Sequence, residues 1–179
     1  VGRTRLENLR AALAAGTGRV GFGPCVVEVS CGRVRIGPAL EDVAGFEPVV
    51  LNVPGSTLAG TWRVDVATEP YVAGPADVTF GIGNGSFRGV LRVRQVSPGD
   101  RMLINDRHRK VSDLFVDRKV PRWERPTAVA LSDADGVVAL AGTFGVWCER
   151  VTNPDDALYV RLREASAPGA TPRIETPGG

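Results

Sequence analysis

The chain has 179 residues, 43% of them apolar and 23% charged, with a formal net charge of +2. Those values fit an ordinary globular chain of one domain, or one domain plus a smaller piece, and exclude a collagenous or low-complexity polymer. No apolar run approaches the ~20 residues that span a bilayer, and no apolar signal core follows the first residues, so no membrane partner and a cytoplasmic location are expected.

In chain order, "TRLENLRAALAA" (residues 4–15) places Leu6, Leu9 and Leu13 at helical spacing. Thr4 is the expected N-cap and Glu7 its capping-box partner, with Gly16 and Gly18 ending the helix. "CVVEVSCGRVRIG" alternates around Cys31-Gly32 and reads as a hairpin. Cys25 and Cys31 stand six positions apart, which on a strand is one face. With Cys148 they make an odd count of three, which favours buried reduced thiols over a bridge or a metal pair. Residues 42–45 read as a connector. "EPVVLNVPG", "TWRVDVATEPYV" and "GVLRVRQV" are expected strands, and "GIGNGSFRG" a flexible link or hairpin.

"SPGDR" at 97–101 is a turn. The stretch from His108 to Pro126, "HRKVSDLFVDRKVPRWERP", then has helical spacing. Val111, Leu114 and Phe115 are expected to face the core, joined by Trp123, with Arg109, Lys110 and Lys119 on the solvated arcs of the helix. Arg118 lies nearer the apolar side, where it snorkels or pairs with a carboxylate. Pro121 ends this helix and begins a short one carrying Trp123 and Glu124. "TAVALSDADGVVALAG" predicts two strands around an Asp-Ala-Asp-Gly turn, and "VWCERV" and "ALYVRLRE" are further strands. From about Ala167 the composition is that of a disordered tail.

Catalytic motifs are absent. No Lys-Ser/Thr follows "GIGNGSFRG", so it is not a phosphate-cradling Walker loop. "SDADG" has too few oxygen ligands for a calcium loop. Asp113 and Asp117 share a helical spacing and are better placed to pair with Arg109 and Lys110 than to act as an acid–base pair. His108 is the one histidine, which leaves little for histidine-based zinc chemistry. The charge distribution is more informative. Between Arg88 and Arg125 there are eleven Lys/Arg and five Asp/Glu, an excess of six positive charges, while the remainder of the chain is acidic. Such concentration is the footprint of a polyanion-binding surface, although charge runs are more often solvated faces.

The order of pieces between residues 88 and 142 resembles the C-terminal part of tRNA(Ile)-lysidine synthases. That resemblance rests on the turn Pro98-Gly99-Asp100-Arg101, the helix "KVSDLFVDRKV", the exit Pro121-Arg122-Trp123-Glu124-Arg125 and the step "GVVALAG". Upstream, "LENLRAALAAGTGRVGFGPCVVEVSCGRVRIG" is similar to the end of the family's middle domain. The chain has no initiator methionine and opens directly on a helical pattern, so it is expected to be an excised piece of a larger protein.

The resemblance implies an α+β fold: residues 1–45 an N-terminal helix and hairpin piece, residues 46–165 a mostly antiparallel β domain with one or two short helices, and residues 166–179 a disordered tail. It implies that the parent enzyme uses ATP and Mg to adenylate the wobble cytidine of tRNA(Ile) and attach lysine there. That chemistry sits on an N-terminal catalytic domain with a Ser-Gly-Gly-x-Asp-Ser loop, which this sequence lacks, so no cofactor and no catalytic residue are expected in this chain. The C-terminal region is expected to grip the tRNA acceptor stem, through Arg101, Arg109, Lys110, Lys119, Arg122 and Arg125. The competing expectation is a structural module that docks on the catalytic domain, or pairs as a homodimer, without touching RNA.

Overall fold

The computed structural model describes residues 2–40, 45–72, 74–75, 77–83, 85, 87–104, 107–148 and 157–165. Residues 42–44 of the expected connector and the tail from residue 166 lie outside them.

Helix α1 spans Arg3–Ala15 and stops at Gly16, whose left-handed φ of 66° lets its N–H reach the Ala12 and Leu13 carbonyls. The capping box does not form. Gly2 is the N-cap, Thr4 lies inside the helix, and Glu7 pairs with Arg3 at 3.0 Å instead. The helix thus starts earlier than Thr4 and leaves that hydroxyl no terminal N–H to accept from. Strands β1 (Thr17–Phe22), β2 (Cys25–Ser30) and β3 (Arg33–Pro38) form an antiparallel meander in that order. Strand β1 was hidden in the sequence by its glycines. One of them has a packing reason: a Cβ on Gly18 would lie 2.5 Å from that of Ala12. Ala12, Val20 and Val29 form the small core of this unit, with Leu9 and Phe22 at its margin.

The rest of the chain builds two stacked sheets. Strands β5 (Gly55–Ala59), β6 (Trp62–Ala67), β14 (Ala157–Glu164) and β7 (Val78–Gly83) make a four-stranded antiparallel sheet in the order β5-β6-β14-β7. The second sheet has the order β10-β9-β12-β11-β8-β4, with β13 also beside β12. Its members are β4 (Val49–Val50), β8 (Arg92–Gln95), β9 (Arg101–Ile104), β10 (Arg107–Lys110), β11 (Val129–Ser132), β12 (Val137–Gly142) and β13 (Gly145–Cys148). Among the described residues, only β12 and β9 pair in parallel. Two expected features are corrected. "EPVVLNVPG" contributes only a two-residue strand before β5 begins, and the "GIG" of the supposed flexible link is the end of β7.

Period-two alternation decides which residues fill which layer. Val64, Val66, Ile82, Leu158, Val160 and Leu162 face Val93, Val129, Leu131, Ala139 and Ala141 across the sandwich. The other face of the larger sheet offers Ala130, Leu140, Met102 and Trp147 to helix α2 (Val111–Asp117), which buries Val111, Leu114 and Phe115 there. Strand β12 is buried along its whole length because it has a layer on each side, which is why "VVALAG" reads as a continuous apolar run. Phe115, Phe144 and Trp147 close this core with ring centroids 5.0–5.8 Å apart. Trp147 therefore takes the place expected for Trp123, which is only half-buried. The expected short helix at Pro121 is a turn followed by a single 3-10 turn at Arg125–Thr127.

The two units are joined at the β2–β3 turn. Cys31 and Gly32 both have positive φ (54° and 75°), the geometry of a tight hairpin with the twist of its strands. That turn meets the exit from α2. Ser30 Oγ accepts the Arg122 N–H at 3.2 Å, Cys31 Sγ lies 3.7 Å from the Val120 carbonyl, and Arg33 pairs with the nearly buried Glu124 carboxylate. The three cysteines are unbridged and half-buried rather than fully buried.

Candidate nucleic-acid interface

The basic residues singled out in the sequence gather on the β9–β10 hairpin, α2 and its exit. The turn before β9 is organised by Asp100. Its carboxylate accepts a two-pronged fork from Arg94 (2.7 and 2.9 Å) and the Ser97 N–H at 2.8 Å. Its carbonyl accepts the Val111 N–H at 2.9 Å, tying the turn to the start of α2. Arg94 and Asp100 are mostly shielded, so this charge-assisted fork is a structural pin.

Arg109 and Lys110 do not lie on the helix, as the 3.6-residue spacing suggested. They belong to β10, paired antiparallel with β9 in the register Lys110↔Arg101, Arg109↔Met102 and His108↔Leu103. Strand pairing takes up their backbone groups, and the helix begins only at Val111, with Lys110 as its N-cap. Directly opposite residues share a face. Lys110 and Arg101 therefore stand side by side on one face, while Arg109 shares the face of buried Met102 and meets α2. There it pairs with Asp117 at 2.6 Å, both side chains about half exposed. All of Arg101, Arg107, Arg109, Lys110 and Lys119 are exposed.

Lys119 stands just past the helix with φ 54°, a left-handed position more often filled by glycine. Its N–H still reaches the Val116 carbonyl at 3.0 Å. Arg122 is exposed, and its backbone, not its side chain, is held by Ser30. Among the described residues, the side chains of Arg101, Lys110, Lys119 and Arg122 make no ion pair. Arg118 and Arg125 behave differently. Arg118 lies 5.3 Å over the Trp147 ring, the apolar-side position its spacing implied. Arg125 donates from Nε to the Val120 carbonyl at 3.0 Å and lies 5.9 Å over Phe115. Half-buried and bonded, Arg125 is committed to the fold more than its neighbours. The groups left with free donors thus stand along one edge, Arg101 and Lys110 on the hairpin face opposite Met102, Lys119 and Arg122 at the helix end and its exit. That arrangement suits phosphate oxygens more than base edges.

Sequence reading missed a second arginine cluster. Arg63, Arg161 and Arg163 meet on Asp65, on the outer face of the four-stranded sheet. Burial alone would raise the Asp65 carboxyl, but hydrogen bonds from Ser56, Arg161 and Arg63 and the charge of Arg163 outweigh it and hold the group below the usual carboxylate range. The signal was present as alternation: "WRVDV" and "YVRLR" each put charge on every second residue. The pairing of residues so far apart in sequence is what a linear reading lacks.

Together these elements define a small α+β module: stacked antiparallel sheets, one covering helix, and an arginine-rich edge. Residues 91–162 match the model of the family described as the TilS substrate C-terminal domain. The chain is also similar to tRNA(Ile)-lysidine synthases. It is 33% identical over 132 residues to that of Symbiobacterium thermophilum, covering 70% of this chain and 27% of the relative. Against that of Deinococcus deserti it is 37% identical over 79 residues, covering 42% and 14%. Against that of Exiguobacterium sibiricum it is 30% identical over 123 residues, covering 65% and 30%. The chain thus spans less than a third of the length of these relatives. A solved structure titled "Crystal structure of TILS C-terminal domain" matches with 24% identity and a TM-score of 0.45, over 68% of this chain and 99% of that one.

Proposed function

We propose that this chain is the tRNA-gripping C-terminal portion of a tRNA(Ile)-lysidine synthase. In this reading it holds the acceptor stem while an N-terminal domain of the parent uses ATP and Mg to attach lysine to the wobble cytidine. The observation that carries it is the position of the free basic groups. Arg101, Lys110, Lys119 and Arg122 stand exposed, without ion pairs among the described residues, inside the segment that matches the family. Arg109 joins them through a pair that solvent already weakens.

An A-form stem suits such a surface. Its deep groove is too narrow for side chains, so recognition runs through phosphates, 2′-hydroxyls and shape. Arginines on a hairpin held by the Arg94–Asp100 pin present their forks with little freedom left to lose. A separate gripping module also lets the parent select its tRNA far from the reacting base.

The test is a salt series of isoleucine tRNA binding with wild type and with Arg109→Glu combined with Arg122→Glu. Each phosphate contact adds about 0.7–0.9 to the slope of log affinity against log salt, so the variant should bind at least tenfold more weakly and with a shallower slope. Unchanged affinity and slope would remove this surface from the reading and leave docking on the catalytic domain, or self-association, as its role.

A further inference from the structure

The outer face of the four-stranded sheet carries more charge than its fold requires. Arg63 on β6 stands directly opposite Arg163 on β14, and Asp65 opposite Arg161. Like charges directly opposite on neighbouring strands destabilise a sheet. Here Asp65 is the acid the three guanidinium groups share, so the patch keeps two positive charges in excess. Glu164, next along β14, alternates to the opposite face, toward the space lined by Trp62 and Gln95.

Asp65 orders these arginines without using them up. Arg63 donates through Nε, to Ser56 at 2.9 Å and Asp65 at 3.2 Å, which leaves both of its terminal amino groups unused. Arg163 contacts Asp65 through one terminal nitrogen at 3.0 Å and keeps the rest of its fork. Their side chains remain 48% and 38% exposed, whereas Asp65 is only 9% exposed. Arg161 is more enclosed and stacks 4.3 Å over the Tyr71 ring. Beside it lies a shallow depression of about 260 Å³ bordered by Pro70, Tyr71, Thr79 and Tyr159, with Gly81 placing no side chain in it.

We propose that this face is a second binding surface for the RNA backbone, in which Arg63 and Arg163 take phosphate oxygens while Tyr71 and the depression beside it receive a sugar or base. Oriented guanidinium forks next to an aromatic ring are the two elements that nucleic-acid grooves combine. A bound phosphate relieves the Arg63–Arg163 repulsion that one carboxylate leaves in place. The sandwich core separates this face from the α2 face, so the two surfaces take different stretches of the same RNA. The inference rests on the RNA-binding reading above, and it extends the contact surface to β6, outside the residues that match the family.

The experiment measures isoleucine tRNA binding over a salt series with the whole chain, using two variants. Arg63→Gln with Arg163→Gln should lower the steepness of the salt slope by about 1.5, two contacts at about 0.7–0.9 each. Leu58→Lys tests the same face by gain. Leu58 is 65% exposed and lies opposite Arg63, so a lysine there should steepen the slope by about 0.7–0.9 without disturbing the core. Melting temperatures confirm that both variants fold, and if the double variant does not, the Leu58→Lys result decides. Losses from the double variant and from Arg109→Glu with Arg122→Glu should add, since distant sites are independent. A wild-type slope in both sheet-face variants overturns the inference and leaves the α2-face reading standing. Loss confined to the sheet-face variants keeps the inference and removes the α2 face. Absence of salt-dependent tRNA binding by the wild type overturns the RNA-binding reading and this inference with it.

Discussion

Two arginine-bearing surfaces stand on opposite sides of this molecule and are built in opposite ways. On the β6–β14 face, one nearly buried carboxylate is shared by Arg63, Arg161 and Arg163. On the β9–β10–α2 edge, Asp100 is matched to Arg94 and Asp117 to Arg109, one acid to one base. Arg101, Lys110, Lys119 and Arg122 there make no ion pair among the described residues. The difference teaches that a count of basic residues says little about availability. What matters is how deep the carboxylate lies. A shielded acid holds arginines in one orientation, and an exposed one only tethers them.

The strongest way to break this contrast is to remove the shielded acid. Asp65→Asn leaves three guanidinium groups facing a neutral amide. Losing one partner of a buried pair costs about 3–5 kcal/mol, and the partial exposure of the arginines brings the expectation to about 2 kcal/mol, read from a urea midpoint. The same group gives a pH signature. Its carboxyl ionises below the ordinary 3.8 in the folded protein, so its contribution is present in full above 3.8 and is lost as the pH falls through the lowered folded value. The wild-type melting temperature should drop on acidification in that window, and Asp65→Asn should flatten that part of the profile. A smaller break is Arg94→Gln. The Arg94–Asp100 fork is mostly shielded but holds a surface turn, so about 1–2 kcal/mol is expected. If the pin orients the hairpin, tRNA binding should weaken even though Arg94 itself is turned inward. A stability loss with unchanged affinity would mean that Arg101 and Lys110 position themselves.

The sequence showed the two surfaces unequally, for a physical reason. The α2 edge is local: its turn, hairpin, helix and exit lie within about thirty residues, and their order alone carried the resemblance that the family model matches over 91–162. Even there the boundary was misplaced. Arg109 and Lys110 directly precede the helical pattern of Val111, Leu114 and Phe115, but pairing with β9 claims them for a strand. Helical periodicity cannot register a competing partner strand. The β6–β14 face is made of residues nearly a hundred positions apart, and alternation in each strand tells only that its charges share a side. Trp123 and Trp147 illustrate the same limit. Both are aromatic residues near apolar runs, and only the placement of β13 beside β12 decides that Trp147 fills the α2 core.

The finest test of the contrast is Asp117→Asn. Asp117 is the last residue of α2, where a negative charge opposes the helix dipole, and its pair with Arg109 is about half exposed. Those two effects nearly cancel, so stability should change by less than about 0.5 kcal/mol. Binding should move more than folding does. Removing the carboxylate withdraws a negative charge from the RNA-facing edge and releases the Arg109 fork, so affinity should rise about threefold and the salt slope should steepen by about 0.7–0.9, the signature of one added phosphate contact. A fall in affinity would show the reverse, that Asp117 holds Arg109 in the orientation a phosphate needs. In that case the exposed acid would be doing for Arg109 what buried Asp65 does for Arg63 and Arg163, and the two surfaces would differ in depth but not in design.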